Sequence, residues 1–599
     1  MVRRFSSVPI ARLIVGLAQG IVLYALYTAL ESAVWPATDG YFFAPLLLVF
    51  LLVPPTVLTA AGNMRVRTLF LWTIATSVIL AALGFYDVWR GGETSGSWFL
   101  FASNLQQAQL FPSSRLIFEA VLGMFIAHSL LIASDAEHRL VAPYPRYFDA
   151  AWKLEVQLLL SLAFIAAFWL LLYLGAALFE LVKLDFLMRL YRHRWFSIPA
   201  TTLAFAGAIH VTDVRSGLTR GIQTVTHVLL SWLLPLLALI IVGFLATLPF
   251  TGLDPLWSTR HAAGLLLTVA AALVVLVNAT YQDGQADRAT PRLLRYAASL
   301  AVIALTPVVV LAGYALFLRV GQYGWTASRI VTAASVAAAA GYALGYLWAV
   351  VAPGPWLKRI ETSNVVLSVV VLCLIIALAS PIADPARLSV ADQLARLRSG
   401  KVSAETFDFA YLRFQGARYG RAALESMKSG AAGESSTLIK DKAEAALRLQ
   451  SPWQRLGSVP KAQDLIANIA VYPDGRSLPD SFTQQDWGAN QTTRWLLPQC
   501  LTDKSVKCEA LLVDIDVDGV DDIVLVEKNR RSAVFKSVQD GTWTLIGTLP
   551  PLAACAGTLG EAMRAGRVKI VPPAWRDVDI DGRRFRLDTS TVAAADRCP

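Results

Sequence analysis

Long apolar runs recur up to about residue 380 of this sequence and constrain its fold more than any other feature. A helix needs roughly 20 apolar residues to cross a hydrocarbon core about 30 Å thick, and it closes its backbone hydrogen bonds within itself. Eleven runs meet this description. They lie at approximately 9–30, 41–61, 68–86, 115–133, 154–179, 196–212, 223–248, 262–281, 296–318, 328–351 and 363–381. We therefore predict a polytopic α-helical membrane protein with about 11 transmembrane helices.

The composition agrees with this prediction and limits the classes of partner that the chain is expected to bind. Hydrophobic side chains make up 55% of the 599 residues and charged side chains only 16%, which is too apolar for a water-soluble chain of this length. The net charge of +10 could indicate a nucleic-acid partner. However, the basic residues form no single stripe and recur in short clusters between apolar runs, as topology signals do. The lipid bilayer is therefore the expected partner, and nucleic acid is not.

The loop charges predict an orientation. With eleven spans and a cytoplasmic N-terminus, every short inner connection is basic, in agreement with the positive-inside rule. These connections carry Arg3, Arg4, Arg65, Arg67, Arg139, Arg146, Arg215, Arg220, Arg288, Arg292, Arg295, Lys358 and Arg359. The rule then predicts that the chain after Asp384 lies outside the cytoplasm, in the periplasm of an inner-membrane protein.

The sixth run, 196–212, leaves an alternative open. It is short and contains Pro199 and His210, so it could be a re-entrant segment. One predicted outer loop is basic and carries Lys183, Arg189, Arg192 and Arg194. A re-entrant segment would explain this loop, but it would also move every later loop to the opposite side of the membrane.

The sequence changes character abruptly after the last apolar run. We predict a helical bundle over residues 1–382, juxtamembrane amphipathic helices over 383–430 and a periplasmic α+β domain over 431–599. Ser389 and Ser403 are expected to cap two of the short helices, because serine is a preferred N-cap residue. Another charged helix is expected at 440–449. Strands are expected at 511–513, 523–526, 533–535, 543–546 and 585–587.

Two stretches resemble a known family. The first comprises DPARLSV at 384–390, Gln393, Leu397, SGKV at 399–402, Phe407, Asp408, YLR at 411–413 and RYG at 418–420. The second is QYGWT at 322–326 with Arg329. Together with the spacing of the spans, over roughly residues 10–425, they resemble a bacterial integral-membrane family known as domain of unknown function family 4153. The resemblance implies a polytopic inner-membrane protein of a Gram-negative bacterium and implies no activity or site.

An acidic loop in the C-terminal part is the sharpest local motif. Asp514, Asp516, Asp518 and Asp522 occupy loop positions 1, 3, 5 and 9, and the carbonyl of Val520 could supply position 7. These oxygen donors predict a Ca²⁺ site, and the loop resembles the calcium loops of FG-GAP repeats. The position-12 glutamate of an EF-hand is absent. The alternative is an acidic hairpin turn that binds no ion.

A second stretch partly matches the same pattern. Asp577, Asp579 and Asp581 precede Gly582, but Phe585 stands where an acid should follow. We therefore interpret this stretch as a strand that enters an Asp-Gly hairpin turn.

Four of the five cysteines lie in the C-terminal part. Cys500, Cys508, Cys555 and Cys598 lack the paired spacing of a zinc site. In an oxidising compartment they are expected to form two disulfides. Of the three possible connectivities, proximity in the sequence favours Cys500 with Cys508 and Cys555 with Cys598.

Ionisable residues within the spans are candidates for function because burying them in lipid is costly. Arg115, Glu119 and His128 lie in the fourth span, and His227 lies in the seventh. They could form a proton or ion relay. The alternative is a structural Arg115–Glu119 ion pair, four residues apart on one helix face, with histidines near the interface.

The motifs leave three functional hypotheses. The leading one is a non-enzymatic bundle, of a transporter-like or envelope-support type, that holds the periplasmic domain and contacts envelope proteins. The second is a membrane enzyme acting on lipid-linked or cell-envelope substrates through Asp87, Asp185 or Asp408. The third is a sensor or docking module on a membrane anchor. The sequence contains no Gly-rich phosphate loop, nucleophile elbow or HExxH motif.

Overall fold

A computed structural model describes the chain over a defined set of residues. These are 8–91, 110–253, 262–284, 290–430, 436–449, 468–473, 475–485, 487, 497–501, 506–527, 532–538, 541–549, 570–572, 578–580 and 583–585. The described residues form two compact units, Met1–Leu449 and Gln450–Pro599.

The first unit is helical. Its long helices are α1 (Val8–Glu31), α2 (Gly40–Ala60), α3 (Val66–Arg90), α4 (Ser114–Glu137), α5 (Tyr144–Leu181), α7 (Arg194–Val214), α8 (Ser216–Thr251), α9 (Ala262–Tyr281), α10 (Arg292–Tyr323), α11 (Ala327–Val351) and α12 (Ile360–Ala379). A short helix, α6 (Phe186–Arg192), precedes α7. Ten of these helices are long and apolar enough to cross a membrane, whereas α7 does not meet that hydropathy criterion. The predicted polytopic helical architecture is confirmed.

Helix α7 nevertheless runs the whole length of α1. Near one end of the pair, Arg12 contacts Asp213 at 2.7 Å, and near the other end the Arg194 guanidinium lies 6.0 Å from the Tyr27 ring centroid. Between them, Gly20 allows the backbone at Pro199 to approach closely. With 21 residues, α7 is about 31 Å long. It therefore lies beside α1 over the length of that helix, an arrangement that agrees with a crossing helix.

The helix ends lie on two faces. The first face holds the start of α1, with the Arg12–Asp213 and Arg65–Asp135 ion pairs at 2.7 and 2.6 Å. The second face holds the end of α12, where Arg115 donates a 3.0 Å hydrogen bond to the carbonyl of Leu378. Helix α1 starts on the first face, and α12 ends on the second. This placement agrees with an odd number of helices that cross from one face to the other.

Four short helices follow the bundle. They are α13 (Pro385–Arg398), α14 (Phe409–Phe414), α15 (Ala417–Gly430) and α16 (Ser436–Arg448). Helix α16 packs against α15, and both lie in the first unit, which extends to Leu449.

The two predicted caps of these helices are wrong. Asp384 caps α13 by accepting a 2.8 Å hydrogen bond from the Ala386 amide, and Pro385 takes the first helical position, where its missing amide hydrogen costs nothing. Ser389 is buried one turn inside the helix. Asp408 caps α14 through the Tyr411 amide at 2.8 Å, so Ser403 lies outside the helix.

The second unit contains the expected sheet. Strands β1 (Ile469–Tyr472), β2 (Cys508–Val513), β3 (Asp522–Glu527), β4 (Ser532–Ser537) and β5 (Trp543–Leu549) pair in that order. The β1–β2 pair is parallel and the other pairs are antiparallel. A short helix, α17 (Asp480–Thr483), supplies Phe482, which packs edge-on against Phe535 and Trp543.

The separate hairpin of β6 (Val578–Ile580) and β7 (Arg583–Phe585) fits the Asp-Gly turn interpretation, since the strands pair antiparallel. Its turn residues, Asp581 and Gly582, lie outside the described residues, as do 586–587 of the strand expected at 585–587.

Candidate functional site

A buried polar network joins the bundle to the juxtamembrane helices on the second face. We call Tyr86, Asp87, Arg90, Asp384 and Tyr419 the junction network. The Tyr86 phenol donates a 2.6 Å hydrogen bond to Asp384 and lies 3.0 Å from the Tyr419 hydroxyl. Arg90 bonds Asp87 at 3.0 Å and Asp384 at 3.4 Å. One guanidinium is thus shared by two carboxylates.

Both carboxylates receive further donors. Asp87 accepts hydrogen bonds from the amide and the hydroxyl of Ser113 at 2.6 and 3.0 Å, and Asp384 accepts one from the Ala386 amide. Such donors matter because a buried charge is stable only when paired and hydrogen-bonded. Asp384 is 0% exposed and Asp87 only 4%. The network therefore holds helices together through buried charges, while Tyr86 and Tyr419 at its edge are half-buried.

The predicted Arg115–Glu119 pair is present beside this network. Its N–O distance is 2.8 Å, and Glu119 is buried. Because Arg115 also bonds the Leu378 carbonyl, it satisfies an acceptor in the last turn of α12, which has no partner within its own helix. This geometry agrees with a structural ion pair that positions the end of α12.

The two intramembrane histidines lie apart from that pair. His128 contacts the Thr59 hydroxyl at 2.9 Å and stacks on Trp72. His227 packs edge-on against Trp152, with ring centroids 4.3 Å apart. Within the described residues, no hydrogen bond connects either histidine to Glu119. The proton or ion relay therefore stays a hypothesis.

The two stretches that carry the family resemblance contact each other. The loop after α10 presents its backbone to α13: the Trp325 amide donates to Asp392 at 2.8 Å. The Gln393 side chain donates to the carbonyls of Tyr323 and Trp325 at 3.1 and 3.0 Å. Gly324 adopts a φ of 74°, which favours glycine. These residues form one docking arrangement at the rim of the bundle.

The final motif residues complete that arrangement. The Arg418 guanidinium lies 4.6 Å from the Trp89 ring centroid, a favourable cation–π distance. A Cβ atom on Gly420 would collide with the backbone of Leu412. Glycine is thus required where α15 meets α14, and Tyr419 beside it reaches the junction network.

The candidate calcium loop brings three of its acids together. Carboxylate oxygens of Asp514, Asp516 and Asp522 lie within 4.8 Å of one another. Asp514 also accepts hydrogen bonds from the amides of Asp518 and Gly519 at 3.1 and 2.8 Å, which shapes the loop. Oxygen ligands of this kind suit a hard cation such as Ca²⁺. The chemistry of the donor set therefore fits the expected ion.

A lysine that the sequence did not point to also contacts this loop. The ammonium group of Lys536, on β4, forms an ion pair with Asp516 and lies 2.7 Å from Asp518. These two carboxylates raise the pKa of Lys536, and the lysine lowers the pKa of Asp518. Burial raises the pKa of Asp522. An internal cation thus already neutralises part of the loop.

One of the two expected disulfides is present. Cys500 and Cys508 are bonded, with Cα atoms 6.1 Å apart. The Cys555–Cys598 pairing lies outside the described residues and stays a prediction. Cys373, in α12, is a free thiol.

The acids proposed for catalysis have other partners. Asp87 is buried in the junction network, Asp185 pairs with Arg189 at 2.8 Å on the surface, and Asp408 caps α14. Each of the three acids thus has a structural contact within the described residues.

Sequence reasoning missed the junction network for an identifiable reason. Asp384 directly before Pro385 is itself a helix-start signal, because aspartate is a good N-cap and proline suits the first helical position. That signal would have predicted Asp384, and not Ser389, as the N-cap of this helix. No local pattern, however, connects Asp384 with Tyr86 or Arg90, which lie about 300 residues earlier.

Comparison with known proteins gives one match. A family model described as Domain of unknown function (DUF4153) matches residues 18–427. No curated protein and no solved structure matches the chain.

Proposed function

We propose a function from the premise that this chain belongs to the family described as Domain of unknown function (DUF4153). It is an integral membrane protein. In the proposal it resides in the inner membrane of a Gram-negative bacterium, with its N-terminus in the cytoplasm and its C-terminal domain in the periplasm. The bundle acts as an envelope support that anchors this domain to the membrane for contact with envelope proteins.

The junction network is the observation that carries this proposal. Asp384 begins the juxtamembrane helices and is fully buried against Tyr86 and Arg90 of the bundle. A simple tether would need no such burial, since linkers are solvated and make few contacts. The rim loop at 324–326 supplies a second set of bonds to α13. Two independent attachments favour a stiff connection between the bundle and the juxtamembrane helices.

The competing hypotheses predict different structures. Transport would require a polar cavity lined by Glu119, yet Glu119 is buried in an ion pair with Arg115. The enzyme hypothesis named Asp87, Asp185 and Asp408, yet Asp87 lies in the junction network, Asp185 pairs with Arg189 and Asp408 caps α14. The support function is therefore favoured over both.

Complementation of a deletion strain tests the support function. We expect deletion to sensitise the cells to detergent and to large antibiotics, and the wild-type gene to restore resistance. Asp384→Ala should fail to restore it because it breaks the junction network, whereas Asp185→Asn and Asp408→Asn should succeed. Failure of the Asp185 or Asp408 variant at normal protein levels would favour the enzyme instead. Equal success of all variants would reject the role of the junction.

Reporter fusions test the proposed orientation. An alkaline phosphatase fused after Gly430 should be active, because this enzyme folds only where its disulfides form. A fusion after Lys358, on the opposite side of α12, should be inactive. An inactive reporter after Gly430 would reject the periplasmic placement.

The calcium site is a separate part of the proposal. In the periplasm, a site of even millimolar affinity would be partly occupied. The convergence of Asp514, Asp516 and Asp522 supports Ca²⁺ binding there, with Asp518 and the Val520 carbonyl as further ligands. We expect the ion to stabilise the loop between β2 and β3.

A further inference from the structure

Three arginines gather where the juxtamembrane helices meet the end of α3. Arg418 and Arg421 are three residues apart on α15 and share one face of that helix. The Arg418 guanidinium lies 4.6 Å from the Trp89 ring centroid, and the Arg421 guanidinium lies against Gly91, directly after α3. Arg413, on α14, is the third arginine. We call Arg413, Arg418 and Arg421 the arginine cluster.

The arginine cluster has no acidic partner within the part of the chain that the structure describes. There, none of its members forms an ion pair or donates a hydrogen bond from its guanidinium to a protein acceptor. Glu425, one turn beyond Arg421 on α15, does not pair with it. The buried Nε atom of Arg413 also has no hydrogen-bond partner. Buried polar atoms are almost always satisfied, so an orphaned donor in a group of cations indicates a missing anion or water.

The charges of the cluster repel one another. Partial desolvation lowers the pKa of Arg421, and the positive charges of Arg413 and Arg418 lower it further. The C-terminal end of α3 offers Arg421 some compensation, but a helix dipole corresponds to only about half an elementary charge. The three guanidiniums therefore carry more charge than their surroundings neutralise, and they suit an anion.

The cluster lies at the end of an apolar stripe on α3. Val78, Ala82, Phe85 and Trp89 follow one another at spacings of three and four residues, so they fall on one face of this helix. Val78 is 62% exposed and Phe85 is 50% exposed. On a helix that crosses a bilayer, such side chains contact acyl chains, and tryptophan lies at the level of the headgroups. Arg418 over Trp89 is thus placed at headgroup depth.

We propose that the arginine cluster binds the phosphate of an anionic phospholipid in the leaflet at the second face, whose acyl chains lie along the stripe on α3. Guanidinium groups suit this role, because their N–H donors bind phosphate in pairs. A zwitterionic phospholipid also brings a cation, which the cluster repels. A free phosphate ion would leave the apolar stripe without an occupant. The proposal holds whichever side of the membrane the second face occupies.

Native mass spectrometry of the full-length protein in detergent tests this proposal. The protein is titrated with phosphatidylglycerol or with phosphatidylcholine of the same acyl chains. We expect the first molecule of phosphatidylglycerol to bind at least about tenfold more tightly, because only this lipid has a net negative charge. Inorganic phosphate at the same concentration should displace little of it, since it has no acyl chain.

Variants place the effect in the cluster. The double variant Arg418→Gln, Arg421→Gln should bind phosphatidylglycerol about tenfold more weakly, and both side chains are exposed, so folding should not suffer. Arg398→Gln is the matched control. It makes the same chemical change at an exposed position at the end of the 14-residue helix α13, about 21 Å along that helix from Asp384. We expect it to change the affinity less than about twofold.

Four results would overturn the proposal. One is equal affinity of the wild type for phosphatidylglycerol and phosphatidylcholine. Another is an unchanged affinity of the double variant for phosphatidylglycerol. A loss in Arg398→Gln as large as in the double variant would show a general attraction to surface charge. Displacement of the lipid by an equal concentration of inorganic phosphate would show a site for the free ion.

Discussion

The phenol of Tyr86 donates a 2.6 Å hydrogen bond to the carboxylate of Asp384, which lies 298 residues later in the chain. This bond connects the end of α3 to the residue that caps α13. The bond explains why an aspartate stands at the start of the juxtamembrane motif. Asp384 serves both as the cap of α13 and as the attachment point to the bundle. The cap needs the side-chain oxygen of Asp384 at this position, and the contact with Arg90 needs its negative charge.

Removal of the Tyr86 hydroxyl should weaken this attachment. Tyr86→Phe leaves a buried carboxylate with one donor fewer, which should cost about 1.5–3 kcal/mol because the acceptor is charged. Tyr27→Phe is the matched control: its phenol bonds the exposed Glu31, so we expect a loss below about 1 kcal/mol. Unfolding of the detergent-solubilised protein measures both. If both variants lose the same free energy of unfolding, the hydrogen bond from Tyr86 to Asp384 contributes no more than an exposed one.

Gly420 should not tolerate a methyl group. Gly420→Ala places a Cβ atom against the backbone of Leu412, and we expect a loss of about 1–3 kcal/mol from overpacking. Gly430→Ala, in the same helix, meets no atom within 4 Å and should be neutral or slightly stabilising. Limited proteolysis of the segment between α14 and α15 reports the difference. If both variants resist cleavage alike, the close approach is not essential.

Lys536 should compete with calcium. In Lys536→Met, the loop loses its internal cation, so the acids should bind Ca²⁺ about tenfold more tightly. Isothermal titration of the full-length protein measures this change, with the exposed Lys507→Met as the control. If neither the wild type nor Lys536→Met releases heat with Ca²⁺, the calcium proposal is wrong and the lysine is the permanent partner of the loop.

The Cys500–Cys508 disulfide should form in cells and stabilise the second unit. A substitution of Cys508→Ser should cost about 2–3 kcal/mol, because the cross-link restricts the unfolded chain. Peptide mapping under non-reducing conditions should recover these two cysteines together, and Cys373 should be alkylated after denaturation. Recovery of both as free thiols would also count against the periplasmic placement.

The sequence by itself determined the features that depend on local pattern. Apolar length predicted the spanning helices, because a bilayer imposes a minimum length on each crossing. The i,i+4 spacing predicted the Arg115–Glu119 pair, and the alternation of apolar residues placed most of the strands. These predictions succeeded because neighbours in the sequence are also neighbours on a helix or strand.

Only the tertiary structure decided which distant residues meet. The sequence left open whether 196–212 spans or re-enters, and only the packing of α7 along the whole length of α1 favours a crossing. Asp384 gains Tyr86 and Arg90 as partners, and the calcium loop gains Lys536, through contacts that no local spacing encodes. The physical reason is that a charged side chain is stabilised by whichever donors or opposite charges the fold brings to it. Those donors come from helices and strands far away in the chain.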